Sequence, residues 1–197
     1  MVTITAAMVK ELRQKTGVGM MDCKKALKET EGNIDNAVKY LRERGMSKAA
    51  SKASRETKEG LVFSYIHGNG KIGVLLEMSC ETDFVAATDD FKTLCKDIAM
   101  QIAATDPIAL RPEDIDQKLI TEETEIARNK AIKDGKPERI IEKIVEGVVK
   151  KFEKTNTLLY QEFIKDSSKD VDTVIKEAIF RLGENIQVAR FVRFSMV

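Results

Sequence analysis

The stretch LVFSYIHGNGKIGVLLEMSC, residues 61–80, predicts a β-hairpin near the middle of the chain. Its first part, Leu61 to Ile66, is rich in apolar and β-branched residues, which favour strands. Asn69-Gly70 follows, a pair typical of the tight turns that join antiparallel strands. From Ile72 to Cys80 an apolar residue recurs at every second position, as in a strand with one buried face. These two strands form part of the predicted sheet.

The turn of this hairpin also resembles a nucleotide-binding loop. Gly68, Gly70 and Gly73 match the glycine spacing of a dinucleotide site. Such a site needs a helix directly after the glycines, so that the helix N-terminus faces the pyrophosphate, whereas here a second strand follows. His67 beside the turn has no recognisable nucleophile as a partner, so we expect a solvated side chain rather than a general base. We therefore expect no bound cofactor and no enzymatic reaction.

Helical periodicity precedes the hairpin along the chain. Three short helices are predicted, the first with Thr5 as its N-cap. We expect them to end at Gly17, Gly32 and Gly45, because glycine readily adopts the left-handed conformation that follows a helix. Helices this short are marginal alone, so they must pack together as a small head. Residues 46–60 are mostly small, polar or charged, which predicts a linker, and the sequence leaves open whether part of it is helical.

More helices and a last strand follow the hairpin. Apolar residues recur at helical spacing from Phe91 to Ile102, from Ile140 to Phe152 and from Val171 to Leu182. The polar region from Pro112 to Lys133 is predicted to be helical with few apolar anchors, and residues 186–194 form the last strand.

Strands and helices do not alternate in this sequence as they would in a doubly wound sheet. The predicted fold class is therefore α+β. We expect a three-helix head at residues 1–45, a linker at 46–60, and a core domain at 61–197. The core domain would hold a three-stranded, mainly antiparallel sheet and several helices.

Charge and hydropathy exclude some classes of partner. Charged residues make up 33% of the sequence, but the formal net charge is only +1. This balance argues against bulk nucleic acid or an anionic membrane as the partner. No apolar run approaches the length of about 20 residues that a membrane helix needs. The first ten residues lack the features of a signal peptide, so we expect a cytoplasmic protein.

The cysteines do not suggest a metal site. Cys23, Cys80 and Cys95 are widely spaced, and His67 is the single histidine. Structural zinc usually requires four Cys or His ligands at close spacing. We therefore expect buried or inert thiols and no metal.

Two segments are candidates for contact with another protein. Met20 and Met21 are adjacent in a helix and point about 100° apart, so both fit poorly into one small core. An exposed methionine would offer adaptable apolar surface, although burial of both remains the alternative. Asp83 and Phe84 lie between a strand and a helix, where they could form an exposed tip. The residues alone favour the opposite, with Phe84 in the core and Asp83 capping the next helix, since most aromatic side chains are buried.

Four segments, in order along nearly the whole chain, resemble the elongation factor Ts family. They are VKELRQKTGVGMMDCKKAL at 9–27, ETDFV at 81–85, KPERIIEKIVEG at 136–147 and GENI at 183–186. The resemblance implies a guanine-nucleotide exchange factor in translation elongation. Such a factor binds elongation factor Tu in its GDP-bound and nucleotide-free forms and promotes GDP release without covalent chemistry.

The resemblance also implies a division of labour among residues. The head resembles a ubiquitin-associated domain that docks on the partner's nucleotide-binding domain. Asp83 and Phe84 match a loop that intrudes beside the magnesium site, with the phenylalanine as an apolar wedge. The positions that match partner-binding residues are Arg13, Met20, Met21, Thr82, Asp83, Phe84 and Val85.

The chain departs from the longer members of that family in one respect. Those members resemble a duplicated core, and this sequence holds one such half, so we expect a homodimer. An RNA-binding or ribosome-associated module is the first alternative, supported by the basic segment Lys48 to Lys58. It lacks the aromatic cluster that single-strand binders use, so we expect no direct nucleic-acid contact. A small enzyme is the second alternative, and it has no recognisable catalytic set.

Overall fold

The computed structural model describes residues 2–196, which form α-helices on both sides of a β-hairpin in the sequence. The α+β class predicted from the sequence is confirmed. The helices are α1 (Ala6–Thr16), α2 (Met20–Glu29), α3 (Ile34–Lys52), α4 (Asp83–Ala86), α5 (Asp89–Thr105), α6 (Gln117–Lys133), α7 (Glu138–Asn156) and α8 (Val171–Leu182). The strands are β1 (Glu59–His67), β2 (Ile72–Cys80), β3 (Glu162–Phe163), β4 (Asp166–Asp170) and β5 (Ile186–Ser195).

The first helix begins and ends where its sequence predicts. Thr5 caps it, since its Oγ1 accepts a hydrogen bond from the Met8 N–H at 3.3 Å. Gly17 ends it with a φ of 68°, and its N–H donates to the Arg13 carbonyl at 2.7 Å. These local contacts satisfy backbone groups that the helix itself leaves unpaired.

The prediction that the third helix ends at Gly45 is wrong, because α3 continues through Gly45 to Lys52. Gly45 is buried, and a Cβ atom there would lie 3.1 Å from the ring of Phe180 on α8. Phe180 belongs to the same apolar cluster as Leu41 and the other core residues of α1–α3. The glycine therefore permits close packing of two helices rather than ending one. Residues 46–52, predicted as part of a linker, are helical.

The predicted hairpin and last strand form one sheet in the order β1-β2-β5. The strands are antiparallel, and the end of β5 lies beside the start of β2, where the Met196 N–H donates to the Lys71 carbonyl at 2.9 Å. The glycine-rich segment is a turn between two strands, as predicted. His67 is exposed and its Nδ1 lies 2.9 Å from the Tyr65 hydroxyl.

A small two-stranded sheet, β3 paired antiparallel with β4, was not predicted. These strands are short and rich in charged and polar residues, so they carry no apolar alternation. A buried glutamine on α5 supports them: Gln101 donates to the Gln161 Oε1 at 3.2 Å and accepts from the Ile164 N–H at 2.8 Å. Side-chain hydrogen bonds between distant residues thus replace the missing apolar pattern.

The chain forms two compact units. The first comprises residues up to Phe63, Leu76–Asp97 and Thr173–Ala189, and its head helices share their core with Phe180. The second comprises Ser64–Leu75, Ile98–Asp172 and the residues from Arg190 onward. In the second unit α6 packs on α7 through the buried residues Ala127, Ala131, Ile141 and Val145.

The division into a head at 1–45, a linker at 46–60 and a core domain at 61–197 stays a prediction. Across residues 2–196, no helix combines the length and the apolar character needed to cross a membrane.

Candidate partner-binding site

The tip, defined here as residues 82–85, lies where β2 has ended and the single-turn helix α4 begins. Thr82 is the N-cap of α4, and its Oγ1 accepts from the Val85 N–H at 3.4 Å. The next helix, α5, receives a similar bond from Thr88, whose Oγ1 accepts from the Phe91 N–H at 3.2 Å. Thr82 and Thr88 therefore make the capping bonds that the residue-level interpretation assigned to Asp83.

Phe84 projects from this tip into solvent. Its exposed fraction is 82%, whereas Ala86, two residues later, is only 5% exposed. The interpretation that Phe84 folds into the core of its own chain is therefore wrong. A one-turn helix has few inward positions, and Ala86 occupies the buried one. Asp83 is exposed beside the ring, and Thr82 and Val85 are partly buried at its base.

Two residues that precede β5 hold the base of the tip. The Glu184 carboxylate accepts twice from Thr82, from the backbone N–H at 3.0 Å and from the hydroxyl at 2.7 Å. The Asn185 N–H donates to the Glu81 Oε1 at 2.6 Å. The two residues that follow the end of β2 are thus tied to the segment that leads into β5.

The charge of Glu81 is stabilised by the same contacts. The hydrogen bond from the Asn185 N–H lowers the pKa of the Glu81 carboxyl, and the guanidinium of Arg55, 3.4 Å away, lowers it further. The Asn185 side-chain amide also donates to the Arg55 carbonyl at 2.8 Å. This network keeps a carboxylate and an amide in fixed positions below the tip.

Sequence reasoning did not find Glu184, Asn185 and Arg55 as part of the site. Glu184 and Asn185 lie in a segment that resembles a family, and the resemblance assigns them no contact. The predicted topology held a usable signal. If β5 pairs antiparallel with β2, the last residue of β2 and the first residue of β5 lie at the same end of the sheet. Residues 81–82 and 184–185 flank these strand ends.

The head carries the second candidate surface. Met21 is 78% exposed and Met20 is 43% exposed, so the interpretation that both pack in the core is wrong. Val18 in the preceding turn is buried instead, at 6% exposure, and anchors the turn while the methionines face outward. Arg13 is also exposed on α1. A shallow groove brings Arg13 and Met20 together with Ala6, Lys10, Gln14 and Gly17.

The three cysteines are free and buried, as predicted. Burial raises the pKa of the Cys95 thiol to about 12. Burial also raises the pKa of Cys80, and the nearby Glu184 carboxylate raises it further. Protonated, buried thiols are poor nucleophiles, so they add no reactive group to the tip.

The basic segment from Lys48 to Lys58 is largely engaged within its own unit. The Lys48 ammonium lies 3.3 Å from the Asp22 carboxylate and 4.7 Å from the centre of the Phe180 ring. Arg55 contacts Glu81, and the Lys52 ammonium donates to the Gly183 carbonyl. These cations have partners inside the chain, which weakens the case for an RNA-binding surface here.

Comparison with known proteins matches this chain to one family over its described length. The family model described as "Elongation factor TS" matches residues 2–196. Elongation factor Ts of Heliobacterium modesticaldum is 58% identical over 193 residues, covering 98% of this chain and 90% of that protein. Elongation factor Ts of Oleidesulfovibrio alaskensis is 55% identical over 196 residues, covering 100% of this chain and 99% of that protein. Elongation factor Ts of Thermosipho melanesiensis is 53% identical over 193 residues, covering 98% of each chain.

Proposed function

The chain belongs to the elongation factor Ts family, the nucleotide exchange factors of elongation factor Tu, and we propose that it releases GDP from that partner with the Phe84 tip. It is an exchange factor and not an enzyme. The observation that carries the proposal is the 82% exposure of an aromatic side chain on a tip that is hydrogen-bonded at its base. Exposure of so large an apolar ring to water is unfavourable, and contact with a partner would remove that exposure.

The tip acts by weakening the partner's hold on magnesium and phosphate. Magnesium bridges the phosphate oxygens of a bound nucleotide and offsets their charge. Phe84 inserts as an apolar wedge and Asp83 brings a carboxylate beside it, which displaces the elements that hold the ion. Because coupling between two ligands is reciprocal, a factor that loosens GDP is itself released when nucleotide rebinds. The exchange then needs no covalent step.

The head supplies binding that does not depend on the nucleotide. Met20 and Met21 offer adaptable apolar contacts, and Arg13 on the same surface offers a charged anchor. Methionine and arginine are both enriched at protein interfaces. In this division the head holds the partner while the tip disturbs the nucleotide site. Nucleotide exchange then takes place in the bacterial cytoplasm, together with translation.

The test of this function is release of labelled GDP from elongation factor Tu, with and without the chain. We expect the chain to accelerate release in a saturable manner. Met21→Ala should raise KM about fivefold, the loss expected from one interface anchor, and change kcat by less than about twofold. Ile126→Ala is the matched control, because Ile126 is a 61% exposed apolar residue on α6. An unchanged KM for Met21→Ala would contradict the proposed contact between the head and elongation factor Tu.

We further propose that two copies of the chain pair through the open face of the sheet. In the second unit this face carries Ile66, Leu75, Val192 and Phe194, which are 41–66% exposed. The opposite face is occupied, since the Arg193 side chain donates to the Ala103 carbonyl at 3.2 Å and pairs with Asp106 at 3.0 Å. An exposed apolar face can be covered by the same face of a second copy, which gives a symmetric pair of identical surfaces.

Phe194→Glu should convert the dimer to a monomer. A carboxylate placed in an apolar interface loses its hydration without gaining a partner, which should raise the dimer dissociation constant about 100-fold. Sedimentation equilibrium measures this constant directly. Ile132→Glu on α6 is the control, because Ile132 is 57% exposed outside the sheet and should leave the constant unchanged. A dimer that survives Phe194→Glu with equal affinity would place the interface elsewhere.

A further inference from the structure

We infer that Glu184 is a positioning residue for exchange: it holds the tip so that Phe84 is ready to enter the partner. The inference rests on the proposed function of Phe84. Glu184 acts through Thr82, the N-cap of α4. Thr82 lies 102 residues before Glu184 in the chain.

The tip cannot hold this geometry by itself. Helix α4 contains four residues, and a single helical turn is unfavourable because its ordering cost exceeds the gain from its few hydrogen bonds. Phe84 contributes little packing, since most of its ring faces solvent. An external anchor at the N-cap can supply the missing stability.

Glu184 is well placed as that anchor. Both of its carboxylate oxygens accept from Thr82, one from the backbone N–H and one from the hydroxyl. Bonds to an ionised acceptor are stronger than bonds between neutral groups. The Thr82 hydroxyl donates its proton to Glu184, so the Thr82 Oγ1 can accept from the Val85 N–H at 3.4 Å. This second bond closes the turn. One carboxylate therefore orients both the start of α4 and its capping bond.

The anchor is itself fixed to a rigid element. The Gly183 N–H donates to the Ile179 carbonyl at 2.9 Å, which continues the backbone bonding of α8, and Lys52 donates to the Gly183 carbonyl. Phe180 on the same helix is buried in the core of the head. Glu184 thus ties the tip to a helix whose position is set by packing.

Loss of this anchor should lower the fraction of chains whose tip is competent. Once the head has bound the partner, insertion of the tip is an internal step, and its rate falls in proportion to the population of the competent conformation. The head contacts are unchanged by the tip, so affinity for the partner through the head should persist. A fall in kcat at constant KM is therefore the expected signature.

The first test compares Glu184→Ala and Glu184→Gln in GDP release from elongation factor Tu. We expect kcat to fall about fivefold in Glu184→Ala, within the range for loss of a charged hydrogen-bond acceptor, with KM unchanged within about twofold. Glu184→Gln should recover part of kcat, because its amide oxygen can still accept from the Thr82 N–H, whereas its NH2 group can only donate to the Thr82 hydroxyl. Glu177→Ala on α8 is the control and should behave as the unmodified chain.

The second test is a double-mutant cycle with Phe84→Ala. If Glu184 acts through the placement of Phe84, adding Glu184→Ala to Phe84→Ala should cause no further loss of kcat. A fluorine label on the ring of residue 84 gives a readout without the partner: Glu184→Ala should broaden or split its resonance. Thermal unfolding of each variant verifies the fold, and Thr82→Val replaces Glu184→Ala if the latter does not fold.

The outcomes separate this inference from the proposed function. Full exchange in Phe84→Ala would overturn both the wedge and its positioning. Slow exchange in Phe84→Ala with normal exchange in Glu184→Ala would overturn only the positioning role. Additive losses in the double variant, or equal losses in Glu184→Ala and Glu184→Gln, would show that Glu184 acts by another route, such as its charge.

Discussion

Phe84→Ala should slow the GDP release that this chain stimulates by about tenfold, equivalent to about 1.4 kcal/mol of lost stabilisation. The ring is 82% exposed in the free chain, so its removal leaves no cavity in the core. A truncated anchor often costs about 2 kcal/mol or more at an interface. The effect on exchange should be smaller, because only contacts that differ between the GDP-bound and GDP-released states accelerate release.

The measurement is the rate of labelled GDP release at saturating and at limiting concentrations of the variant. We expect the loss mainly in kcat, because the head still binds the partner. Ile126→Ala is the matched control, since Ile126 is a 61% exposed apolar residue on α6, outside the tip, the head and the sheet. Release at the unmodified rate by Phe84→Ala, with the fold intact, would exclude the wedge.

Gly60→Ala should destabilise the fold by about 3 kcal/mol, a large loss for one methyl group. Gly60 lies in β1 with a φ of 150°, a conformation that residues with a Cβ rarely adopt. A Cβ atom at this position would also lie 2.1 Å from the Met78 carbonyl oxygen on β2. Backbone atoms of the neighbouring strand must therefore move, and Met78 is fully buried.

Denaturant unfolding measures this loss, and a second glycine provides the comparison. Gly147 lies inside α7, is exposed, and a Cβ atom there would meet no atom within 4 Å. Gly147→Ala should therefore stabilise the chain by about 0.5–1 kcal/mol, because alanine restricts the unfolded chain and favours the helix. Equal free energies of unfolding for the two variants would contradict the assigned role of Gly60.

Features that depend on near neighbours in the chain were predictable from the sequence. The alternation in β2, the turn at Asn69-Gly70, and the Thr5 cap and Gly17 end of α1 involve contacts within a few residues. Their outcome changes little with the rest of the fold, so pattern and capping rules identify them. The residues alone left the exposure of the methionine pair open and favoured burial of Phe84, and only the resemblance to a family assigned both to partner contact.

What the sequence determined by itself was the identity and order of most elements, because periodicity and caps act over short distances. The tertiary structure alone decided that α3 passes through Gly45, since that depends on Phe180 arriving from α8. It also decided that Phe84 is exposed and that Glu184 holds Thr82. Burial and side-chain pairing across about a hundred residues arise when distant segments pack together, and no local spacing encodes which groups then meet.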